Sequence, residues 1–164
     1  MQLPAELRNR IYHIFFVGST VSQRFTGTGR GRRRALFGPE YRGAFSLIYV
    51  CRQIHREASS LPTKLVTFDF TRFTYINRAI KILDSERAKV VRAIRMSAKE
   101  ANAITEWMVK GTTEIERRFH SLRVLSSLVC IEVDSKEELV FDLKTVKSAL
   151  RCYAGREEIE IYRC

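Results

Sequence analysis

The chain has 164 residues, of which 45% are hydrophobic and 29% are charged. This composition is typical of one globular domain and excludes a disordered tail, a collagen and a bundle of membrane helices. The 29 lysines and arginines outnumber the 18 acidic residues and give a formal net charge of +11, which permits an anionic partner without identifying one.

The first predicted element is an amphipathic helix over residues 4–16. Pro4 suits the first helical turn because its missing N–H would have no partner there, and Glu6 favours the same turn. The apolar residues recur at helical spacing and form one stripe: Leu3, Leu7, Ile11, Ile14 and Phe15. An amphipathic helix must bury its apolar face, so this stripe is expected to pack either on the second helix or on a partner protein.

Residues 18–43 predict a long mobile loop. They contain six glycines and six arginines but only one acidic residue, Glu40. Loops of this length inside a compact domain are usually functional or disordered, so this segment is either a binding arm or a tolerated insertion. It contains neither glycine motif of a nucleotide-binding loop.

The arginines of this loop could bind an anionic partner. They are interleaved with aromatic residues, a combination that suits phosphates and unpaired bases. A nucleic acid or an acidic protein is therefore the alternative partner, and a solvated loop or a nuclear localisation signal is the simpler interpretation. The candidate residues are Arg24, Arg30, Arg32, Arg33 and Arg34.

A second helix is predicted over residues 44–60. Its apolar residues recur at intervals of three and four, and Pro62 is expected to end the helix. The recurring residues are Leu47, Val50, Cys51, Ile54, Ala58 and Leu61.

Beyond Pro62 the pattern changes to strands that alternate with helices. Strands rich in β-branched and aromatic residues are predicted at residues 65–70, 90–96, 128–133 and 159–162. Helical stripes separate them at residues 73–83, 104–119 and 143–153. This alternation predicts a mixed α/β fold with parallel strands, joined by right-handed crossovers into an irregular leucine-rich-repeat-like layer.

The chain is therefore expected to form one compact domain with two parts. Residues 1–62 are the helical part, which includes the loop at 18–43, and residues 63–164 are the α/β part packed against it.

Two helical motifs resemble a known family. Residues 3–12 read LPAELRNRIY and residues 50–58 read VCRQIHREA. In this order they resemble the two-part signature of the F-box-like domains that are abundant in fungi, and residues 66–70 and 94–96 resemble the strand segments that follow it. The resemblance implies a non-enzymatic protein-interaction module, of the kind that links a substrate to a cullin ubiquitin ligase.

In the broader F-box family such helices dock on a Skp-type adaptor, and the region behind them captures the substrate. The matching positions imply that Leu3, Pro4, Leu7 and Ile11 bind the adaptor.

No catalytic, metal or cofactor site is predicted. His13, His55 and His120 lack metal-ligand spacing, and no CxxC pair occurs among the four cysteines, so reduced thiols are expected. The clustered carboxylates are interpreted as solvent-exposed charges. Neither a signal peptide nor a membrane span is visible, which predicts an intracellular protein of the nucleus or cytoplasm.

Overall fold

The computed structural model describes residues 3–26, 34–37, 45–71, 76, 80, 83, 85–111 and 122–164. In chain order its elements are α1 (Ala5–Phe16), β1 (Thr20–Thr26), β2 (Arg34–Phe37), α2 (Arg52–Ala58), α3 (Leu61–Leu65), β3 (Thr67–Asp69), α4 (Ser85–Val90), β4 (Ala93–Met96), α5 (Ala98–Lys110), β5 (Cys130–Val133), α6 (Leu143–Ala154) and β6 (Glu160–Arg163). Within the described residues, Leu47–Tyr49 and Leu122–Val124 form 3₁₀ turns.

The strands form one sheet in the order β2-β1-β3-β4-β5-β6. Strands β1, β3, β4, β5 and β6 are parallel, and β2 pairs with β1 in the antiparallel direction. The parallel strands lie side by side in chain order, so each joins the sheet next to the strand before it. This arrangement confirms the mixed α/β fold with parallel strands.

One apolar row crosses the parallel sheet and forms the centre of the core. The register places five buried side chains in line: Val21, Phe68, Ile94, Ile131 and Ile161. Buried residues from the helices join them in a single cluster, including Phe16 of α1, Ile104 of α5 and Leu150 of α6. The helices therefore cover the face of the sheet that carries this row.

Local signals in the sequence fix the ends of α5 and α6. The Ser97 hydroxyl accepts a hydrogen bond from the Glu100 backbone N–H at 3.2 Å, and an Asp142 carboxylate oxygen accepts one from the Thr145 N–H at 3.0 Å. Both helices end at a glycine with positive φ, Gly111 at 66° and Gly155 at 68°, a conformation that a side chain would strain. The helix predicted from residue 143 is thus confirmed.

The prediction of a loop over residues 18–43 is wrong for the parts that the structure describes. The backbone of Thr20–Thr26 forms β1, and Arg34–Phe37 forms β2. Val21 is fully buried in the core row, and β1 pairs with β3, so part of this segment belongs to the sheet. The abundance of Gly and Arg hid the short β-forming run around Val21.

The second helix is also interrupted. The 3₁₀ turn Leu47–Tyr49 precedes an extended Cys51, with φ −156° and ψ 164°, and α2 begins after it. Spacing of three and four residues fits both a 3₁₀ turn and an α-helix, so the periodicity could not reveal the break.

Pro62 does not end a helix but lies in the first turn of α3. A proline is tolerated there because the first N–H groups of a helix have no partner within it. The strands predicted at 65–70 and 90–96 are confirmed but are shorter, since residues 65 and 90 are the last residues of α3 and α4.

The remaining helical predictions overlap the structure in part. Ile76, Ile80 and Leu83 are buried, and Ala98–Lys110 forms α5. Residues 112–121, which hold the predicted stripe positions Ile115 and Phe119, lie outside the described residues. No helix among the described residues is long and apolar enough to cross a membrane.

Glu100 is a buried acid that joins α5 to the segment before α4. Its side chain reaches the backbone of Ile76, whose N–H donates to Oε1 at 2.6 Å. The other oxygen, Oε2, is buried and has no hydrogen-bond partner among the residues that the structure describes. Burial raises the pKa of Glu100 to about 7, and the hydrogen bond from Ile76 opposes this shift only in part.

This raised pKa predicts a stability that depends on pH. The pKa of the Glu100 carboxyl is about 4.5 in the unfolded chain and about 7 in the folded protein. Because the folded state binds the proton more tightly, Glu100 lowers the free energy of unfolding as pH rises through this interval. Glu100→Gln keeps an oxygen for Ile76 and removes the charge. Urea unfolding measures the free energy of unfolding of both proteins. Relative to the parent chain, that of the variant should rise by about 2 kcal/mol between pH 5 and pH 8.

Glu106→Gln is the matched control, because Glu106 lies on the same helix and its side chain is 53% exposed. It should keep the pH dependence of the parent chain. An identical pH dependence in Glu100→Gln and the parent would contradict the prediction.

Candidate protein-interaction site

Helix α1 has one buried side and one exposed side. Tyr12 and Phe16 are 3% and 0% exposed and belong to the core. Leu3, Leu7 and Ile11 are 52%, 48% and 48% exposed. Ile14, at 70%, continues the same line at helical spacing. We call Leu3, Leu7, Ile11 and Ile14 the α1 stripe.

Arg8 holds α1 against α2 through a carboxylate. Arg8 Nε donates to Glu57 Oε2 at 2.9 Å, and Arg8 Nη2 donates to Glu57 Oε1 at 2.8 Å. Tyr12 Oη also donates to Glu57 Oε2, at 3.1 Å, and Gln53 Nε2 donates to Oε1 at 3.1 Å. Two parallel bonds from one guanidinium fix the direction of the pair as well as its distance. We call this group the Glu57 clamp.

The clamp uses two polar residues of each helical motif. Arg8 and Tyr12 belong to the first motif, and Gln53 and Glu57 belong to the second. The hydrogen bond from Arg8 is the largest cause that lowers the pKa of Glu57 to about 2. Arg8 Nη1 also donates to the carbonyl oxygen of Leu3, which ties the start of the α1 stripe to the clamp.

The structure thus brings the four sequence-predicted adaptor residues onto an exposed surface. Leu3, Leu7 and Ile11 lie on the α1 stripe, and Pro4 is exposed just before the first turn of α1. Leu7 and Ile11 are not among the buried core residues. Polar residues of the clamp join the two helices, and about half of each apolar side chain remains open to solvent.

The arginines of the predicted basic arm are only partly described. The backbones of Arg24 and Arg34 lie in β1 and β2, paired with Leu36 and Thr26. Arg30, Arg32 and Arg33 lie outside the described residues. Binding of nucleic acid by this arm stays a prediction.

A second surface was not visible in the sequence. The face of the parallel sheet opposite the core carries a polar row, aligned by the strand register: Ser22, Asp69, Arg95, Glu132 and Tyr162. We call this row the polar row. Side-chain alternation within each strand could have indicated it, but only the register shows that five separate polar residues stand in line.

Glu132 is the centre of the polar row. Arg95 reaches Oε2 with Nε at 2.8 Å and with Nη2 at 2.6 Å. Tyr162 Oη donates to Oε1 at 3.0 Å, and Thr67 Oγ1 donates to the same oxygen at 3.3 Å. Glu132 is only 7% exposed, so this network provides the partners that a buried carboxylate requires.

The thiols near this network are not activated. Burial raises the pKa of Cys130 and of Cys164, so both remain protonated at neutral pH. A nucleophilic cysteine needs the opposite shift. All four cysteines carry free thiols. In the described part of the chain no group of three His, Cys, Asp or Glu residues is placed to hold a metal ion.

Comparisons with protein-family models, with curated proteins and with solved structures found no match for this chain. The α1 stripe, the Glu57 clamp and the polar row are therefore the observations from which a function is inferred.

The Glu57 clamp predicts a second pH dependence, of opposite sign to that of Glu100. Because its folded pKa is about 2 and its ordinary value is 4.5, Glu57 contributes stability above pH 4.5 that is lost as pH falls toward 2. Glu57→Gln should be less stable than the parent at pH 7, and this difference should shrink at pH 2.5. Urea unfolding at both pH values measures it.

The exposed Glu6, in the first turn of α1, supplies the control Glu6→Gln. If Glu57→Gln and Glu6→Gln change stability equally at pH 7, the clamp does not hold α1.

The polar row makes a prediction about stability. Glu132→Ala leaves the guanidinium of Arg95 without its partner, and Arg95 is about one-third exposed, so we expect a loss of about 1–3 kcal/mol in urea unfolding at pH 7. Glu160→Ala, on the adjacent strand at an exposed position, should change stability by less than about 0.5 kcal/mol. Equal losses in the two variants would contradict the role given to Glu132.

Proposed function

We propose that this protein is a non-enzymatic protein-interaction module that acts as an F-box-like substrate adaptor of a cullin ubiquitin ligase. In this proposal the α1 stripe binds a Skp-type adaptor protein. The observation that carries it is that Leu3, Leu7 and Ile11 of the first motif are exposed, whereas Arg8 and Tyr12 of the same motif bind Glu57 in the clamp.

A helix with exposed apolar residues on one side and residues that fix its orientation on another is suited to docking. A helix that presents anchors at i, i+4 and i+8 is recognised by an apolar groove on its partner, and Leu3, Leu7 and Ile11 have this spacing. A preoriented helix loses little conformational entropy on binding, and the bidentate bond between Arg8 and Glu57 supplies that orientation. Arg10 is exposed on the same helix and would favour acidic residues at the rim of the groove.

The face of the sheet that carries the polar row is the proposed substrate surface. On paired strands the row presents Tyr162, which is 44% exposed, and the half-buried Asp69 and Arg95. Groups held on strands can contact a substrate with little reorganisation. The two surfaces would then bind adaptor and substrate on one compact body, in the nucleus or the cytoplasm.

A pull-down with a purified Skp-type adaptor tests the adaptor proposal. The double variant Leu7→Asp/Ile11→Asp places two carboxylates in the docking groove, so the captured adaptor should fall at least about tenfold. Both side chains are about half exposed, so circular dichroism and the thermal midpoint should stay near those of the parent chain.

Val109→Asp, at a position on α5 that is 64% exposed, is the control for an added charge at an apolar surface site and should bind the adaptor as the parent does. Binding by the double variant at the parental level, or no binding by the parent chain, would refute the proposal. Unfolding of the double variant would show that the stripe supports the fold instead.

A further inference from the structure

A cavity of about 390 Å³ lies beside α2 and has no part in the proposed adaptor or substrate surfaces. Its wall consists of Ile48, Tyr49, Cys51, Arg52, His55 and Arg56. The volume lies within the range of cavities that bind small ligands. On α2, these residues occupy a different side from Gln53 and Glu57, which face the clamp.

The cavity carries positive charge that no acid of the described residues neutralises. Arg52 and Arg56 stand one helical turn apart, both are exposed, and neither forms a hydrogen bond or an ion pair with a residue that the structure describes. The nearest acid along the helix, Glu57, is already engaged by Arg8 at 2.8 Å. Two free guanidinium groups at one concave site favour an anion with several oxygen atoms.

An adjoining cavity of about 400 Å³ shares Ile48, Tyr49 and His55 with the first. Its acid, Glu86, pairs with Lys89 at 2.7 Å, so it does not offset the two arginines. The wall that the two cavities share consists of the aromatic rings of Tyr49 and His55 and the apolar side chain of Ile48.

The aromatic wall is held in place by a hydrogen bond. His55 Nδ1 lies 3.3 Å from the carbonyl oxygen of Ile48. A carbonyl can only accept, so Nδ1 carries the hydrogen and donates it. The ring of Tyr49 lies beside that of His55, with centroids 6.4 Å apart, and Tyr49 is 76% exposed and able to contact a ligand.

We propose that this cavity binds a phosphate monoester. Arg52 and Arg56 would hold the phosphate oxygens, and the organic group would lie against Tyr49 and Ile48. A phosphate monoester combines the charge that the arginines require with the apolar part that the wall can cover. The proposal does not depend on adaptor binding, since it uses no residue of the α1 stripe.

Titration of the ¹⁵N-labelled full chain with phenyl phosphate, followed by NMR, tests the site. The backbone signals of residues 48–56 should shift, and Arg52→Gln/Arg56→Gln should weaken binding about tenfold or more because two charge-assisted contacts are lost. Neither side chain has a described partner, so the thermal midpoint of this variant should match that of the parent.

Lys144→Gln/Lys147→Gln removes the same charge beside another cavity, on α6, and serves as the matched control. It should leave binding of phenyl phosphate unchanged. Equal weakening by both double variants would show attraction to net positive charge and would overturn the site.

Inorganic phosphate distinguishes an ester from the free anion. It should bind more weakly than phenyl phosphate, and Tyr49→Ala should reduce this preference. Equal binding of the two anions by the parent chain would overturn the assignment to an ester. A lack of shifts at residues 48–56 would overturn the site as a whole.

Discussion

One-sided burial of the parallel sheet is the constraint on which the rest of the structure depends. Because the parallel strands follow one another in chain order, the helices between them cover a single face, where Val21, Phe68 and Ile94 stand in line. The other face carries the polar row, in which Tyr162 is exposed, Asp69 and Arg95 are half-buried and Glu132 is buried. Core and candidate substrate surface are thus two sides of the same strands.

Three buried or partly buried carboxylates show how position decides what an acid does. Glu132 receives hydrogen bonds at both oxygens, and Glu57 joins two helices at the surface. In the described part of the chain, one oxygen of Glu100 has no hydrogen-bond partner. Burial raises the pKa of Glu100, whereas the hydrogen bonds from Arg8 and Gln53 lower the pKa of Glu57. Glu57 and Glu100 therefore make stability depend on pH in opposite directions.

In the two motif helices, residues that hold the fold together lie next to residues that are exposed to solvent. Arg8 and Tyr12 alternate along α1 with Leu7 and Ile11, so the clamp and the stripe occupy adjacent sides of one helix. On α2, Glu57 serves the clamp while Arg52 and Arg56 line the neighbouring cavity. Short amphipathic helices can serve several surfaces in this way because successive residues point about 100° apart.

The sequence by itself determined the elements whose signals are local. Helical spacing specified α1 and α6, and β-branched runs specified β3, β4, β5 and β6, together with their parallel alternation with helices. It also placed Leu3, Pro4, Leu7 and Ile11 on one candidate surface. Only the tertiary structure decided that Val21 joins the sheet, that Cys51 interrupts the second helix, and that the α1 stripe is exposed. Burial and strand register depend on residues far apart in the chain, such as Arg8 with Glu57 and Arg95 with Glu132, and periodicity carries no information about such pairs.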